Sequence, residues 1–159
     1  MPETPAFLAE RLQTEGDKTA AFFASLTPDQ WRAEIYTEGE IWTVRNLLAH
    51  YVTAERGFLK IFASLSQGGP GVADDFEIDR YNASQQAKTR DLTPAELLEQ
   101  FRAVRAQMIA LVASFSEADL LKQGRHPFLG QTTLTEMIKM VYRHNQIHFR
   151  DVRKILGEN

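Results

Sequence analysis

Between Leu97 and Phe115 the apolar residues Leu97, Phe101, Val104, Met108, Leu111 and Phe115 advance by threes and fours without a break. That period matches one face of an α-helix and no face of a strand. The stretch opens on Thr93-Pro94-Ala95-Glu96, where threonine and glutamate can satisfy each other's free amides and proline fits the first helical turn. A helix with one apolar face must bury it against partners, and three other stretches offer them. The first runs from about Pro5 to Leu26, with Leu8, Leu12, Thr19, Phe22, Phe23 and Leu26 on one side, and Thr27-Pro28-Asp29-Gln30-Trp31 then reads as a stop followed by a short capped turn. The second starts near Thr43 and carries Val44, Leu48, Tyr51, Phe58, Leu59 and Phe62, ending before Gly68-Gly69-Pro70-Gly71. The last opens at Thr133-Leu134-Thr135-Glu136 and continues through Met137, Ile138, Val141, Val152, Ile155 and Leu156 to a terminal Gly157. Alternating strand patterns are missing. The fold class expected is all-α, a four-helix bundle.

The connections are unequal. Val72 to Leu92 is longer than bundle connections usually are and has room for a short helix of its own. A segment of that length can travel back along the bundle and leave the second and third helices parallel. The expected topology is therefore up-down-down-up, with a long crossover between those two helices. At 159 residues the chain is expected to form one domain, 1–159.

Composition excludes several classes. A formal charge of −3 without basic or acidic blocks gives no electrostatic support for nucleic acid or a membrane surface as partner. No apolar run approaches bilayer thickness, and Met1-Pro2-Glu3-Thr4-Pro5 lacks the plan of a secretory signal, so a cytoplasmic location is expected. Cysteine is absent, which leaves imidazole and oxygen as metal ligands and requires any reactive thiol to arrive with a substrate or cofactor. Phosphate loops, dinucleotide fingerprints, nucleophile elbows and the paired carboxylates of di-metal bundles are all missing.

The chemistry-bearing feature is His144-Asn145-Gln146-Ile147-His148. Four-residue spacing stacks both imidazoles on one helical face, within the apolar stripe of Val141, Val152 and Ile155. Turning two polar rings toward a core costs free energy unless each finds a partner, and one ion can serve both. Such a pair can equally be two hydrogen-bonded side chains. His50 lies on the shoulder of the second helix's stripe and is the candidate third ligand, although a buried histidine bound to a carbonyl would look the same. Helices packed about 8–10 Å apart allow facing imidazoles to meet. Three neutral nitrogens suit zinc, nickel, iron or copper over magnesium or calcium, and leave positions open for water or substrate. Glu55 and Asn145 fall near their stripes and read best as groups that orient a ligand. Asp151 and Arg150 read as surface groups, and His126, in Gly124-Arg125-His126-Pro127-Phe128-Leu129-Gly130, as a loop histidine. The phenylalanines at helical spacing read as core.

Trp42-Thr43-Val44-Arg45-Asn46-Leu47-Leu48-Ala49-His50, with Glu55 following, resembles the second-helix signature of the DinB-like (DinB/YfiT) superfamily. Tyr142 to Asp151 resembles that family's closing His-x-x-x-His helix. Asp79-Arg80-Tyr81-Asn82 in the crossover, and the lead-in from His126 to Glu136, match as well. The resemblance covers nearly the whole chain. It implies an up-down-down-up bundle, commonly a homodimer, with a three-histidine site often holding zinc or nickel. It further implies a metal-dependent enzyme, in its sharpest form a transferase using a low-molecular-weight thiol as cosubstrate. The alternative is a non-catalytic metal-binding stress-response bundle acting through dimerisation or partner binding.

Overall fold

Each long helix begins where a threonine side chain closes the first turn. In the computed structural model, which describes residues 3–157, Thr4 caps α1 (Pro5–Ala24). Thr27 and Gln30 form a reciprocal capping box on the short α2 (Pro28–Arg32). The chain then pairs β1 (Glu34–Tyr36) with β2 (Trp42–Thr43) in an antiparallel hairpin. Thr43 and Asn46 cap α3 (Val44–Ser66). The crossover carries α4 (Ile78–Lys88), and Thr93 with Glu96 starts α5 (Pro94–Ala113). After α6 (Glu117–Leu120), a second antiparallel hairpin joins β3 (Gln123–His126) to β4 (Gly130–Thr133). Thr133 then caps α7 (Leu134–Leu156), which ends on Gly157 at φ 77°.

The direction of each helix follows from which residues meet. One core cluster joins Ala20 and Phe23 of α1, Val44, Leu47 and Leu48 of α3, Leu97 and Phe101 of α5, and Val152 of α7. The cluster at the other end joins Leu8 and Leu12 with Phe62, Leu65, Met108, Val112, Leu134 and Met137. The late residues of α1 and α7 therefore lie beside the early residues of α3 and α5. The protein is an all-α four-helix bundle of up-down-down-up topology, with α3 and α5 parallel. Fully burying side chains of the size of Leu, Phe or Met contributes about 1.5–3 kcal/mol each, so these two clusters supply the main drive for assembly.

The two hairpins depart from the sequence expectation of no strands. Their strands are two to four residues long, too short to show an alternating pattern, and each hairpin forms its own two-stranded sheet. Their effect is to extend the ends of α3 and α7 with stiff walls. Crossover and second hairpin also touch: Gly71, at φ 94°, bridges Arg125 so closely that a Cβ would lie 2.5 Å from its backbone nitrogen and oxygen. Only glycine satisfies both conditions.

The crossover is anchored along α3. Tyr81 donates its hydroxyl to the Thr53 carbonyl at 2.8 Å, beside Gly57, whose missing side chain leaves room for the phenol. Asn46 and Gln86 exchange hydrogen bonds of 2.9 and 2.8 Å, and Arg45 donates to the Leu92 carbonyl. These contacts hold α4 as one wall of a cavity. Among the described residues no helix is long and apolar enough to cross a membrane.

Candidate metal centre

His50 lies in the second turn of α3 and is buried, while His144 and His148 occupy successive turns of α7 and are half-buried. The structure brings all three rings together. His50 Nε2 is 3.4 Å from His144 Nε2, which is 2.9 Å from His148 Nε2. One nitrogen from each ring falls within 4.8 Å of the others. Two nitrogens bound to one zinc ion at about 2.0–2.1 Å in tetrahedral geometry lie about 3.3 Å apart. The donor set fits a divalent transition ion in both chemistry and spacing.

Protonation points the same way. Burial lowers the His50 pKa to about 4, with His148 adding a smaller repulsion. Burial first, then His148, His50 and His126, lowers that of His144 to about 3. His148 is lowered by burial and partly restored by Asp151. At neutral pH these imidazoles are uncharged, the form that coordinates metal.

The cluster opens onto a cavity of about 1270 Å³ bounded by α3, α4, α7 and the two hairpins. Tyr36 and Trp42 stand at the histidine end, the Trp42 ring 5.1 Å from that of His50. Phe128 stands there too, its ring 5.9 Å from that of His144, and Phe58 and Phe76 also line the cavity. Glu38, Glu40, Lys60 and Arg80 supply charge along its walls.

Several expectations need correction. Glu55 orients no histidine: its carboxylate is gripped by Arg105, Nε to Oε2 at 2.8 Å and Nη2 to Oε1 at 2.9 Å, and the pair is buried. Arg105 also donates to the Leu12 carbonyl, and Gly16 of α1 leaves the space its side chain crosses. Asn145 is buried, but its side-chain amide nitrogen has no partner, and it is its main-chain carbonyl that accepts from the Tyr51 hydroxyl at 2.9 Å. It sits against a second, very small cavity shared with His144, Glu55 and Tyr51. His126 is no solvated loop residue. It ends β3, is 2% exposed, stacks on Phe58 and accepts at Nδ1 from the Phe128 and Leu129 amides, while Nε2 is left without a partner. Asp151 is no surface ion-pair partner either. It accepts from the Tyr36 hydroxyl at 2.6 Å, and that same oxygen is 2.6 Å from His148 Nδ1. Burial and then Asp151 raise the Tyr36 pKa, so its hydroxyl keeps its proton. Tyr36 carries no signal in the sequence; Asp151 does, lying three residues after His148 and so on the same helical face.

A bundle of this topology thus brings three convergent imidazoles, a candidate metal site, beside a cavity. The chain belongs to the DinB superfamily, whose family model matches residues 11–152. No curated protein matches it. Among solved structures it is similar to YfiT from Bacillus subtilis, described as a probable metal-dependent hydrolase with an unusual four-helix bundle topology. That match has 16% identity and a TM-score of 0.71, covering 98% of this chain and 87% of the other. A mycothiol-dependent maleylpyruvate isomerase matches at 16% identity and TM-score 0.71, over 93% of this chain but 59% of its own. The colibactin self-resistance protein ClbS, crystallised with double-stranded DNA, matches at 17% identity and TM-score 0.72, over 98% and 97% of the two chains. At such identities the likeness is one of fold. The last match corrects the expectation of no nucleic-acid partner: a protein of this fold holds duplex DNA, so modest net charge does not exclude one. Net charge describes the whole surface, whereas phosphate contacts need only a local array of cations.

Proposed function

We propose that this protein is a metal-dependent enzyme in which His50, His144 and His148 hold one divalent transition ion, zinc or nickel, at the head of the cavity. The convergence of three uncharged imidazoles from two helices, beside space large enough for ligands, carries this reading. The chemistry such an ion supplies is Lewis acidity, so that a thiol or water beside it gives up its proton nearer neutral pH. The chain's own residues do the rest. Trp42 and Tyr36 flank the histidines, and Phe58, Phe76 and Phe128 offer an apolar surface to a bound ligand.

The sharper form of the proposal is transfer to or from a low-molecular-weight thiol cosubstrate. Two features support it: the chain has no cysteine of its own, and the cavity exceeds the ~300–1,000 Å³ typical of single-ligand sites. Metal content of protein purified without a histidine tag, followed by thiols screened against electrophiles, is the direct test. A thermal melt is the simplest check. Metal at about 100 times Kd is expected to stabilise the native state by about 2.7 kcal/mol, or roughly 5–10 °C for a domain of this size, and chelator is expected to reverse the shift. Identical melts with zinc, nickel and chelator would rule the proposal out.

A second reading is favoured by the duplex-bound relative. Arg143, Arg150 and Lys154 lie on one exposed face of α7, at spacings of seven and four. Two or three phosphate contacts along that face would give affinity for duplex DNA that falls with salt, with a log–log slope of about −2 to −3. Fluorescence anisotropy with a labelled duplex checks this; no binding at low salt would dismiss it.

A further inference from the structure

Tyr36 and Asp151 lie outside the three-histidine set, yet they close a chain behind it. The Tyr36 hydroxyl oxygen stands 2.6 Å from Asp151 Oδ2 and 2.6 Å from His148 Nδ1. A phenol has one proton to give, and there are two places to give it. An ionised Asp151 can only accept, so the proton belongs between Tyr36 and Asp151. The phenol oxygen then accepts from His148, which requires the proton of that neutral ring to sit on Nδ1. The reverse assignment would set a carboxylate oxygen against a phenol oxygen at 2.6 Å with no hydrogen between them. With Nδ1 protonated, His148 presents a bare lone pair at Nε2, the atom 2.9 Å from His144 Nε2 and inside the three-nitrogen cluster.

We infer that Tyr36 and Asp151 are positioning residues which fix the tautomer and ring orientation of His148 and strengthen it as a metal ligand. The role rests on the metal-centre reading above. Carboxylates commonly orient metal-bound imidazoles directly; here a phenol from a three-residue strand is interposed. The arrangement ties the ligand on α7 to the hairpin that precedes α3, so β1 has a task beyond connecting two helices. It also makes a residue of the cavity wall, Tyr36, the one that holds His148.

Two measurements test this. In metal-free protein at neutral pH, nitrogen-15 correlation spectra are expected to show His148 protonated at Nδ1, and Tyr36→Phe is expected to shift it to a mixture of tautomers. Zinc and nickel affinities, read by chelator competition, are expected to fall about 10–100-fold in Tyr36→Phe and Asp151→Ala. Asp151→Asn, whose amide oxygen can still accept from the phenol, is expected to recover part of the loss. The double variant Tyr36→Phe/Asp151→Ala is expected to bind no more weakly than the worse single variant, because both break one chain. A merely structural role would lower the melting temperature without changing the tautomer. Protonation at Nε2 in the unaltered protein, or equal metal affinity in all variants, would overturn the inference while leaving the metal site standing. Failure of the unaltered protein to bind either metal would overturn the metal reading itself.

Discussion

Replacing His144 with alanine is expected to weaken metal binding by about two orders of magnitude or more while leaving the helical content intact. His144 is the middle of the cluster, with Nε2 3.4 Å from one neighbouring nitrogen and 2.9 Å from the other. Structural zinc sites with four ligands hold their ion by about 10–16 kcal/mol, so one ligand contributes on the order of 3 kcal/mol, more than a hundredfold in affinity. The metal-free variant should be no less stable than the metal-free parent. An imidazole whose pKa is driven to about 3 chiefly by burial is a polar group held under poor hydration, and its removal relieves that cost. Elemental analysis, chelator competition and circular dichroism decide the matter together. Unchanged metal content in a folded variant would remove His144 from the site.

The second large effect is expected far from the histidines. Arg105→Met should strand the Glu55 carboxylate in the core, and Glu55→Leu should strand the guanidinium. Breaking a buried pair in this way costs about 3–5 kcal/mol, or roughly 6–20 °C in Tm for a domain of this length. The pair is 4% and 3% exposed, so water offers little relief. Replacing both residues with apolar ones, as in Glu55→Leu/Arg105→Met, should cost much less than the sum of the single changes. Denaturant titrations of the four proteins check the cycle. If the two single losses simply add in the double variant, the partners are not coupled and the bidentate contact carries no weight.

These two cases show what could be read from the residues and what could not. The long helices and their order were legible because capping threonines and unbroken three-four spacing act within a few residues of each other. The parallel placement of α3 and α5 followed from the length of the crossover alone. The histidines were legible for the same reason: two sit four apart on one face, and the third sits in an amphipathic stripe. Glu55 was misread because its partner is 50 positions away on another helix. Its place in the apolar stripe reported burial correctly and said nothing of what it was buried against. Tyr36 and the hairpins were invisible because two- to four-residue strands show no periodicity. Asp151 was misjudged because its value comes from the hydroxyl on β1, a contact that sequence spacing does not encode. His126 reads as a loop residue in the sequence because proline and glycine surround it, whereas pairing of β3 with β4 carries it inward.

The parallel run of α3 and α5 has a consequence for when the site can exist. His50 and His144 are 94 positions apart, with the crossover, α5 and the second hairpin between them. Closing so long a loop is entropically costly before other contacts reward it. His144 and His148 are neighbours within α7 alone, but the full set of three nitrogens exists only after α7 has docked against α3. On the proposed function, an ion would complete its binding in an already assembled bundle, reaching the three rings through the cavity.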